Sequence, residues 1–198
     1  MSKLSRKFKV PDPLANLYDF ANSLDVRRFT HHGVPHRQDD ELTEPVELAS
    51  WLAGRGLLTQ GAGKITPAMF DAALRLRAEL RDYLGCDPIE RRKQGRIAGR
   101  LSEALSGFPL VAEARGGAAL TLRASREDAL AGLSVVVAEL YNGSINGTLD
   151  RLKMCAAEEC RRVFFDRSKP ATRRWCMSTL CGNRIKTRTY RARHRSAA

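Results

Sequence analysis

Four cysteines near the C-terminus constrain the fold of this chain more than any other feature of its 198 residues. They form two pairs with the same separation, Cys155-x4-Cys160 and Cys176-x4-Cys181. Redox pairs are typically Cys-x-x-Cys and occur once, whereas two spaced pairs supply the four thiolates of a tetrahedral metal site. Because zinc favours this ligand set and the protein fills all four positions, we expect one closed, structural Zn²⁺ site. An iron–sulfur cluster and a disulfide pair are the alternatives that the pattern leaves open.

Positive charge is concentrated around these cysteines. The net charge of the chain is +12, and residues 151–198 contain 14 Lys and Arg but only three acidic residues. Residues 1–150, with 20 basic and 19 acidic residues, are almost neutral. A concentrated cationic segment around a metal site indicates a polyanionic partner, most commonly a nucleic acid. The alternatives are a solvated basic tail and arginines that favour the metal-bound thiolates.

Apolar residues recur at helical spacing before the cysteines and predict a largely helical domain. Local start and stop signals bound the helices, such as Thr66-Pro67 before one apolar stripe and Gly85 after it. The predicted helices run from Pro13 to Arg27, Thr43 to Gly54, Thr66 to Gly85, Asp87 to Leu105 and Ser125 to Leu140. One β-hairpin is also predicted, with strands 110–115 and 118–123 joined by Gly116-Gly117.

A change in charge and two Asn-Gly breaks, the first at Asn142, divide the chain into two predicted domains. A helical domain occupies residues 1–145, and a small zinc finger occupies residues 146–198. In the finger, segments 152–154 and 163–165 are expected to pair as a short hairpin with the first cysteine pair at its turn, a zinc knuckle. The predicted fold class is therefore mainly α (α+β), with one hairpin in the helical domain and a basic C-terminal helix in the finger.

From Gly182 onward the chain is predicted to form this basic helix. Its arginines at positions i, i+4, i+7 and i+11 lie along one side, namely Arg184, Arg188, Arg191 and Arg195. A cationic helix anchored by a metal site can enter a groove of nucleic acid or lie along its phosphates, and an exposed, frayed helix is the alternative. The residues that we predict to contact nucleic acid are Arg173, Arg174, Arg184, Lys186, Arg188, Arg191 and Arg193.

Two classes of protein are disfavoured by the sequence. No apolar run approaches the roughly 20 residues that a membrane span needs, and the basic N-terminus lacks the apolar stretch of a secretory signal. We therefore expect a cytoplasmic protein that does not bind membranes. Paired carboxylates, a nucleophile elbow and a phosphate-binding glycine loop are also lacking, so an enzyme is not expected.

The residues around the cysteines resemble the CGNR zinc finger, a family named for Cys181-Gly182-Asn183-Arg184. The matching stretches are Cys155-x4-Cys160-Arg-Arg-Val-Phe-Phe-Asp166-Arg-Ser168 and Arg174-Trp-Cys176-x4-Cys181-Gly-Asn-Arg184. Upstream, three stretches are similar to the ABATE domain that usually precedes this finger: Leu17-Tyr-Asp19-Phe-Ala-Asn22-Ser23, Leu48-Ala-x-Trp51-Leu52 and Gly56-Leu-Leu58. Ser23 stands where that family usually has Thr.

The resemblance implies a bacterial, stress-induced transcription regulator. It also implies that Asp19 and Asn22 lie at a pocket for a small-molecule effector, although such residues more often satisfy buried backbone groups. The N-terminal domain would sense this effector or mediate formation of a homodimer. Our leading hypothesis is a regulator that binds DNA through its basic finger. A zinc-stabilised protein-interaction module and an RNA-binding protein are the alternatives.

Overall fold

The computed structural model describes residues 4–31, 33–59, 61–114 and 120–195. Its helices are α1 (Leu4–Lys7), α2 (Ala15–Ala21), α3 (Pro45–Ala53), α4 (Pro67–Gly85), α5 (Pro88–Arg91), α6 (Gly95–Ser106), α7 (Leu133–Ile145) and α8 (Asn183–Arg195). Its strands are β1 (Leu24–Asp25), β2 (Thr30–His31), β3 (Val34–Pro35), β4 (Asp39–Asp40), β5 (Leu110–Glu113), β6 (Thr121–Ala124), β7 (Leu152–Met154) and β8 (Val163–Phe165). The strands form antiparallel pairs. The protein is therefore mainly α with small β elements, as the sequence predicts.

The hydrophobic core lies where α2 packs against α4 and α7. The N-cap of α4 is Thr66, whose hydroxyl accepts a hydrogen bond from the Met69 N–H at 3.3 Å. Four apolar residues at helical spacing along α4 are buried, namely Ala73, Leu76, Leu80 and Leu84. Since burying one leucine side chain contributes about 1.5–3 kcal/mol, this stripe is sufficient to hold α4 in the core. The predicted helix from Thr66 to Gly85 is thus confirmed.

The predicted helix from Pro13 to Arg27 is wrong at its C-terminal end, because α2 ends at Ala21. Asn22 leaves the helical conformation (φ −97°, ψ 3°), and its side-chain amide is hydrogen-bonded to the backbone of Val163. A contact with a residue far along the chain therefore holds Asn22 at the end of this helix, where its amide also donates to the Tyr18 carbonyl at 3.1 Å.

Two other helix predictions need correction. The helix expected from Asp87 is divided into α5 and α6, because Gln94 (φ −86°, ψ 71°) is not helical. The last predicted helix begins at Leu133 and not at Ser125. The Asp128 carboxylate accepts a hydrogen bond from the Leu130 N–H in a turn before α7.

A paired segment at residues 24–40, which we call the arm, was missed by the sequence analysis. In the arm, β1 pairs with β4 and β2 pairs with β3. Strands of two residues are too short to show an alternating pattern, so the sequence carries no signal for them. The predicted hairpin is confirmed as a pairing of β5 with β6, but both strands are shorter than predicted and Leu110 pairs with Ala124, one residue beyond the predicted second strand. The predicted Gly116-Gly117 turn lies outside the described residues.

The hairpin of β7 and β8 joins the finger to the core of the helical part. Met154 pairs with Val163 and Leu152 with Phe165, as predicted. Leu152 and Val163 are fully buried in the same cluster as the apolar residues of α2 and α4. Phe164, on the other side of β8, is buried against the cysteines. The hairpin therefore packs against both the core of the helical part and the cysteine cluster of the finger. The domain boundary between residues 145 and 146 stays a prediction.

Candidate metal centre and cationic helix

The four predicted ligands meet at one point. Their Sγ atoms all lie within 4.8 Å of one another. The Sγ of Cys176 is 3.6 Å from that of Cys160 and 3.7 Å from that of Cys181. A tetrahedral site with Zn–S distances near 2.3 Å separates its sulfurs by about 3.8 Å, so the donor set fits zinc. Cys155, Cys160, Cys176 and Cys181 can therefore bind one zinc ion, in agreement with the cofactor prediction.

The first pair is presented by a tight turn at the end of the β7–β8 hairpin. The Cys155 N–H donates to the Arg162 carbonyl and the Cys160 N–H donates to the Ala157 carbonyl, both at 2.8 Å. Arg161 then takes a left-handed backbone conformation, with φ of 45°, which turns the chain back into β8. This geometry brings both thiols to one side of the turn and confirms the predicted knuckle.

A buried arginine of α4 connects the knuckle to the helical part. Arg81 donates to the carbonyls of Ala21 and Leu24 at 2.5 and 3.2 Å, and to that of Arg161 at 3.1 Å. Burial lowers the pKa of Arg81 to about 10, which leaves the guanidinium charged at neutral pH. One cation therefore holds the end of α2, the start of the arm and the knuckle together.

Asp166, which is fully buried, organises the loop that leads to the second cysteine pair. Its carboxylate accepts hydrogen bonds from the Ser168 hydroxyl at 2.6 Å, from the backbone N–H groups of Ser168 and Arg173 at 3.0 and 2.8 Å, and from Lys153 Nζ at 3.2 Å. Burial acts to raise the pKa of Asp166, but these hydrogen bonds outweigh it and hold the pKa below its ordinary value. In the sequence Asp166 stands out only as part of the CGNR motif, and no local pattern predicts this role.

A π-helical turn carries the last ligand directly into α8. The turn spans Ser178–Gly182 and contains Cys181. A Cβ at Gly182 would lie 3.5 Å from Cε3 of Trp175, so this ring packs on the turn. Ile185, in the first turn of α8, packs on the cluster formed by the cysteines. The start of α8 is therefore held by the metal centre.

Beyond this first turn α8 projects into solvent. Every residue from Lys186 to His194 is exposed. The helix contains six basic residues and no acidic residue. An ion pair at 3.5 Å joins Arg188 to Glu159, and both partners keep some exposure. The charge of α8 is therefore available to a partner along most of its length.

The seven residues predicted to contact nucleic acid fall into two groups. The exposed group is Arg174, Lys186, Arg188, Arg191 and Arg193. The other two arginines make contacts within the protein. Arg173 Nη2 donates to the Cys176 carbonyl at 2.6 Å. The Arg184 guanidinium lies over the ring of Phe29 in the arm, 3.8 Å from its centroid.

The two residues predicted to contact an effector are buried, with 1% of Asp19 and 7% of Asn22 exposed. The Asp19 carboxylate accepts hydrogen bonds from the backbone N–H and hydroxyl of Ser5, at 2.7 and 2.9 Å. Asn22 exchanges two hydrogen bonds with the Val163 backbone, both at 3.1 Å. Both side chains thus satisfy groups of the protein itself, and their contact with an effector stays a prediction.

Two family models match the chain. The ABATE model, described as "Putative stress-induced transcription regulator", matches residues 16–158. The CGNR zinc finger model matches residues 151–194, which include all four zinc ligands. The first description is of a regulator and the second is of a zinc finger. No curated protein matches the chain. Within the described residues, no helix is long and apolar enough to cross a membrane.

Proposed function

We propose a function on the premise that this chain belongs to the ABATE family and carries a CGNR zinc finger. The proposed function is that of a transcription regulator. In this proposal the protein binds DNA through α8, and the zinc centre holds this helix in place. The observation that carries the proposal is that α8 has six basic residues, no acidic residue and an exposed surface from Lys186 to His194. Such a helix is attracted to a polyanion wherever the metal centre presents it.

The side chains of α8 are distributed as binding in a groove requires. At roughly 100° per residue, Arg188 and Arg191 lie on one side of the helix. Lys186 and Arg193 lie on the roughly opposite side. The row between them is uncharged and can form hydrogen bonds, and it consists of Thr187, Tyr190 and His194. In a helix that lies in the major groove, the two basic rows reach the phosphates of both walls while the row between them faces the base edges.

The anchoring of α8 favours recognition by a fixed helix. Basic residues four apart, such as Arg184 and Arg188, destabilise an isolated helix, so α8 needs either an anchor or a polyanion. Cys181 and Ile185 tie its start to the metal centre, and Phe29 ties Arg184 to the arm. Its 13 residues extend about 20 Å, which is enough to follow one groove.

A titration of zinc-loaded protein against random-sequence duplex DNA at two salt concentrations tests the proposal, with fluorescence anisotropy as the readout. Arg188→Ala and Arg191→Ala should each weaken binding to all sequences alike and reduce the salt slope by about one. The matched controls Arg75→Ala and Arg96→Ala remove the same charge from exposed positions of α4 and α6. Unchanged affinity and slope in both α8 variants would show that α8 is not the binding surface.

Selection of preferred sequences from a random DNA library tests the uncharged row. Thr187→Ala and Tyr190→Ala should change the preferred bases while the salt slope stays the same, because these residues contact no phosphate in the proposed arrangement. Duplex RNA in the same titration separates DNA binding from RNA binding. If the protein holds one zinc per chain and binds neither nucleic acid, the regulator proposal fails and an acidic protein surface becomes the partner to search for.

The setting of this activity belongs to the proposal as well. We propose that the protein acts in the cytoplasm of a bacterium under stress, and that its helical part responds to a small effector or forms a homodimer. Sedimentation of the zinc-loaded protein over a range of concentrations tests the homodimer. A single monomeric species at every concentration would contradict it.

A further inference from the structure

A cavity of about 220 Å³ lies between the zinc centre and the helical part of the chain. Aromatic rings from four segments line it, namely Phe8 after α1, Tyr18 of α2, Phe29 of the arm and Phe164 of β8. Because an apolar cavity of about 150 Å³ is sufficient to bind benzene, this one has room for a six-membered ring with a small substituent. Its walls come from both parts of the protein, so an occupant would contact both.

The cavity is lined by guanidinium groups and, among the described residues, by no carboxylate. The lining arginines are Arg27, Arg162, Arg167 and Arg173. A second cavity of about 160 Å³ shares Arg27 and Arg162 with the first but is also lined by Asp25, Asp39 and Glu41. Three thiolates of the metal centre also line the first cavity, but with zinc bound the whole centre carries only about two negative charges. The four arginines outnumber these charges, so the first cavity favours an anion.

In the described part of the chain, Arg162 is the lining arginine that combines partial burial with an unpartnered donor, whereas Arg167 is exposed. Arg27 is already paired with Asp25, and Arg173 donates to the Cys176 carbonyl. The Arg162 guanidinium lies over the ring of Phe8, 4.1 Å from its centroid. Burial raises the pKa of Tyr18, and the Arg162 guanidinium beside its hydroxyl acts in the opposite direction, so Arg162 also contacts Tyr18. Nη2 of Arg162 is nevertheless buried and has no hydrogen-bond acceptor among the described residues. A buried donor without an acceptor is uncommon in folded proteins, because the loss of its contact with water is not compensated.

We propose that this cavity binds a small aromatic carboxylate, with its ring among the aromatic side chains and its carboxylate on Arg162. The guanidinium offers parallel N–H donors that match the two oxygens of a carboxylate. Contacts between aromatic rings favour a planar ring over a saturated ring of similar size. A rotation of the guanidinium toward the cavity would bring the buried Nη2 within reach of a carboxylate oxygen and give it the acceptor that it lacks.

A ligand in this cavity would affect the position of the proposed DNA-binding helix through one side chain. Phe29 lines the cavity, and the guanidinium of Arg184, in the first turn of α8, lies over its ring. A ligand that displaces Phe29 therefore displaces an anchor of α8. This consequence rests on the proposed DNA-binding function, whereas the site itself does not, so its test is carried out without DNA.

Isothermal titration of the full-length, zinc-loaded protein with sodium benzoate tests the site. We expect saturable binding in the micromolar to millimolar range, which a ligand of this size can reach. Cyclohexanecarboxylate, which has the charge but no aromatic ring, and benzamide, which has the ring but no charge, should each bind at least about tenfold more weakly. Equal affinity for benzoate and cyclohexanecarboxylate, or no saturation by benzoate, would overturn the proposal.

The variant Arg162→Gln should weaken benzoate binding about tenfold or more and leave benzamide binding unchanged, because only the charge-assisted hydrogen bonds are lost. Arg96→Gln, an exposed arginine on α6, is the matched control and should bind benzoate like the wild type. Zinc content is measured for each variant. If Arg162→Gln loses zinc, Phe8→Leu decides, since it removes a ring of the cavity from outside the finger. Wild-type benzoate affinity in Phe8→Leu would then refute the site.

Discussion

Replacing Asn22 by alanine tests whether the helical part and the finger form one cooperative structure. The Asn22 side-chain nitrogen donates to the Val163 carbonyl and its oxygen accepts from the Val163 N–H, both at 3.1 Å. The amide thus pairs with β8 as the backbone of a further strand would. It does so between residues 141 positions apart in the sequence.

The magnitude follows from the two backbone groups that the substitution leaves behind. Each buried polar group without a partner costs about 1–3 kcal/mol, and some access of water to Val163 reduces the total. We therefore expect Asn22→Ala to lower the free energy of unfolding by about 2–4 kcal/mol. For a chain of this length, 1 kcal/mol shifts Tm by about 2–4 °C, so Tm should fall by roughly 4–16 °C.

Thermal unfolding of the zinc-loaded protein measures this shift, and transfer of zinc to a chromogenic chelator measures its effect on the metal centre. Val163 lies three residues after Cys160, so zinc transfer should also be faster in Asn22→Ala. Asn142→Ala, an exposed asparagine on α7, is the matched control. If both variants have the same Tm and the same rate of zinc transfer, the two hydrogen bonds do not couple the parts and the reasoning is refuted.

Three further predictions concern the metal, the knuckle and the arm. Removing zinc with a chelator should lower the Tm of the whole chain, and the protein should still unfold in a single calorimetric transition, because the β7–β8 hairpin is buried in the main core. A separate transition for the finger would contradict this prediction. Arg161 has a left-handed backbone conformation, which costs a residue other than glycine about 1–2 kcal/mol. Arg161→Gly should therefore leave the free energy of unfolding in urea unchanged or raise it by about 0.5–1 kcal/mol. Arg161→Val should lower this free energy. Burial acts to raise the pKa of Asp25, but hydrogen bonds from Arg27 and His36 hold it well below its ordinary value. The stability that Asp25 contributes is therefore present above about pH 4 and lost as the pH falls further, so the difference in urea midpoint between the wild type and Asp25→Asn should shrink below that pH.

The metal centre could be predicted from the sequence because its requirements are local. Each cysteine pair is separated by four residues, so a single tight turn brings both thiols of the pair together. Two such pairs satisfy the tetrahedral geometry of zinc whatever path the chain takes between them. The helix α4 was predictable for a similar reason, since its N-cap Thr66 and its apolar stripe lie within one segment.

For the arginines near the metal, spacing in the sequence does not predict which side chains are exposed and which contact the protein itself. Sequence spacing places Arg184 in the same stripe as Arg188 and Arg191, and all three were predicted to contact a nucleic acid. In the structure Arg184 lies on Phe29, whereas the other two are exposed. The CGNR motif marks Arg184, but the motif does not show what its guanidinium contacts, because the ring that it covers belongs to the arm.

The sequence by itself determined the zinc ligands, the cationic character of the last helix and the helical nature of the remainder, because each depends on composition or on spacing within one segment. The tertiary structure alone decided that Asn22 ends α2, that Arg81 holds the knuckle, and that an aromatic cavity with Arg162 lies beside the metal centre. The physical reason is common to all three. Buried polar groups and rings contact partners in segments that are distant in the sequence and come together only in the folded chain. Local sequence patterns therefore do not predict these contacts.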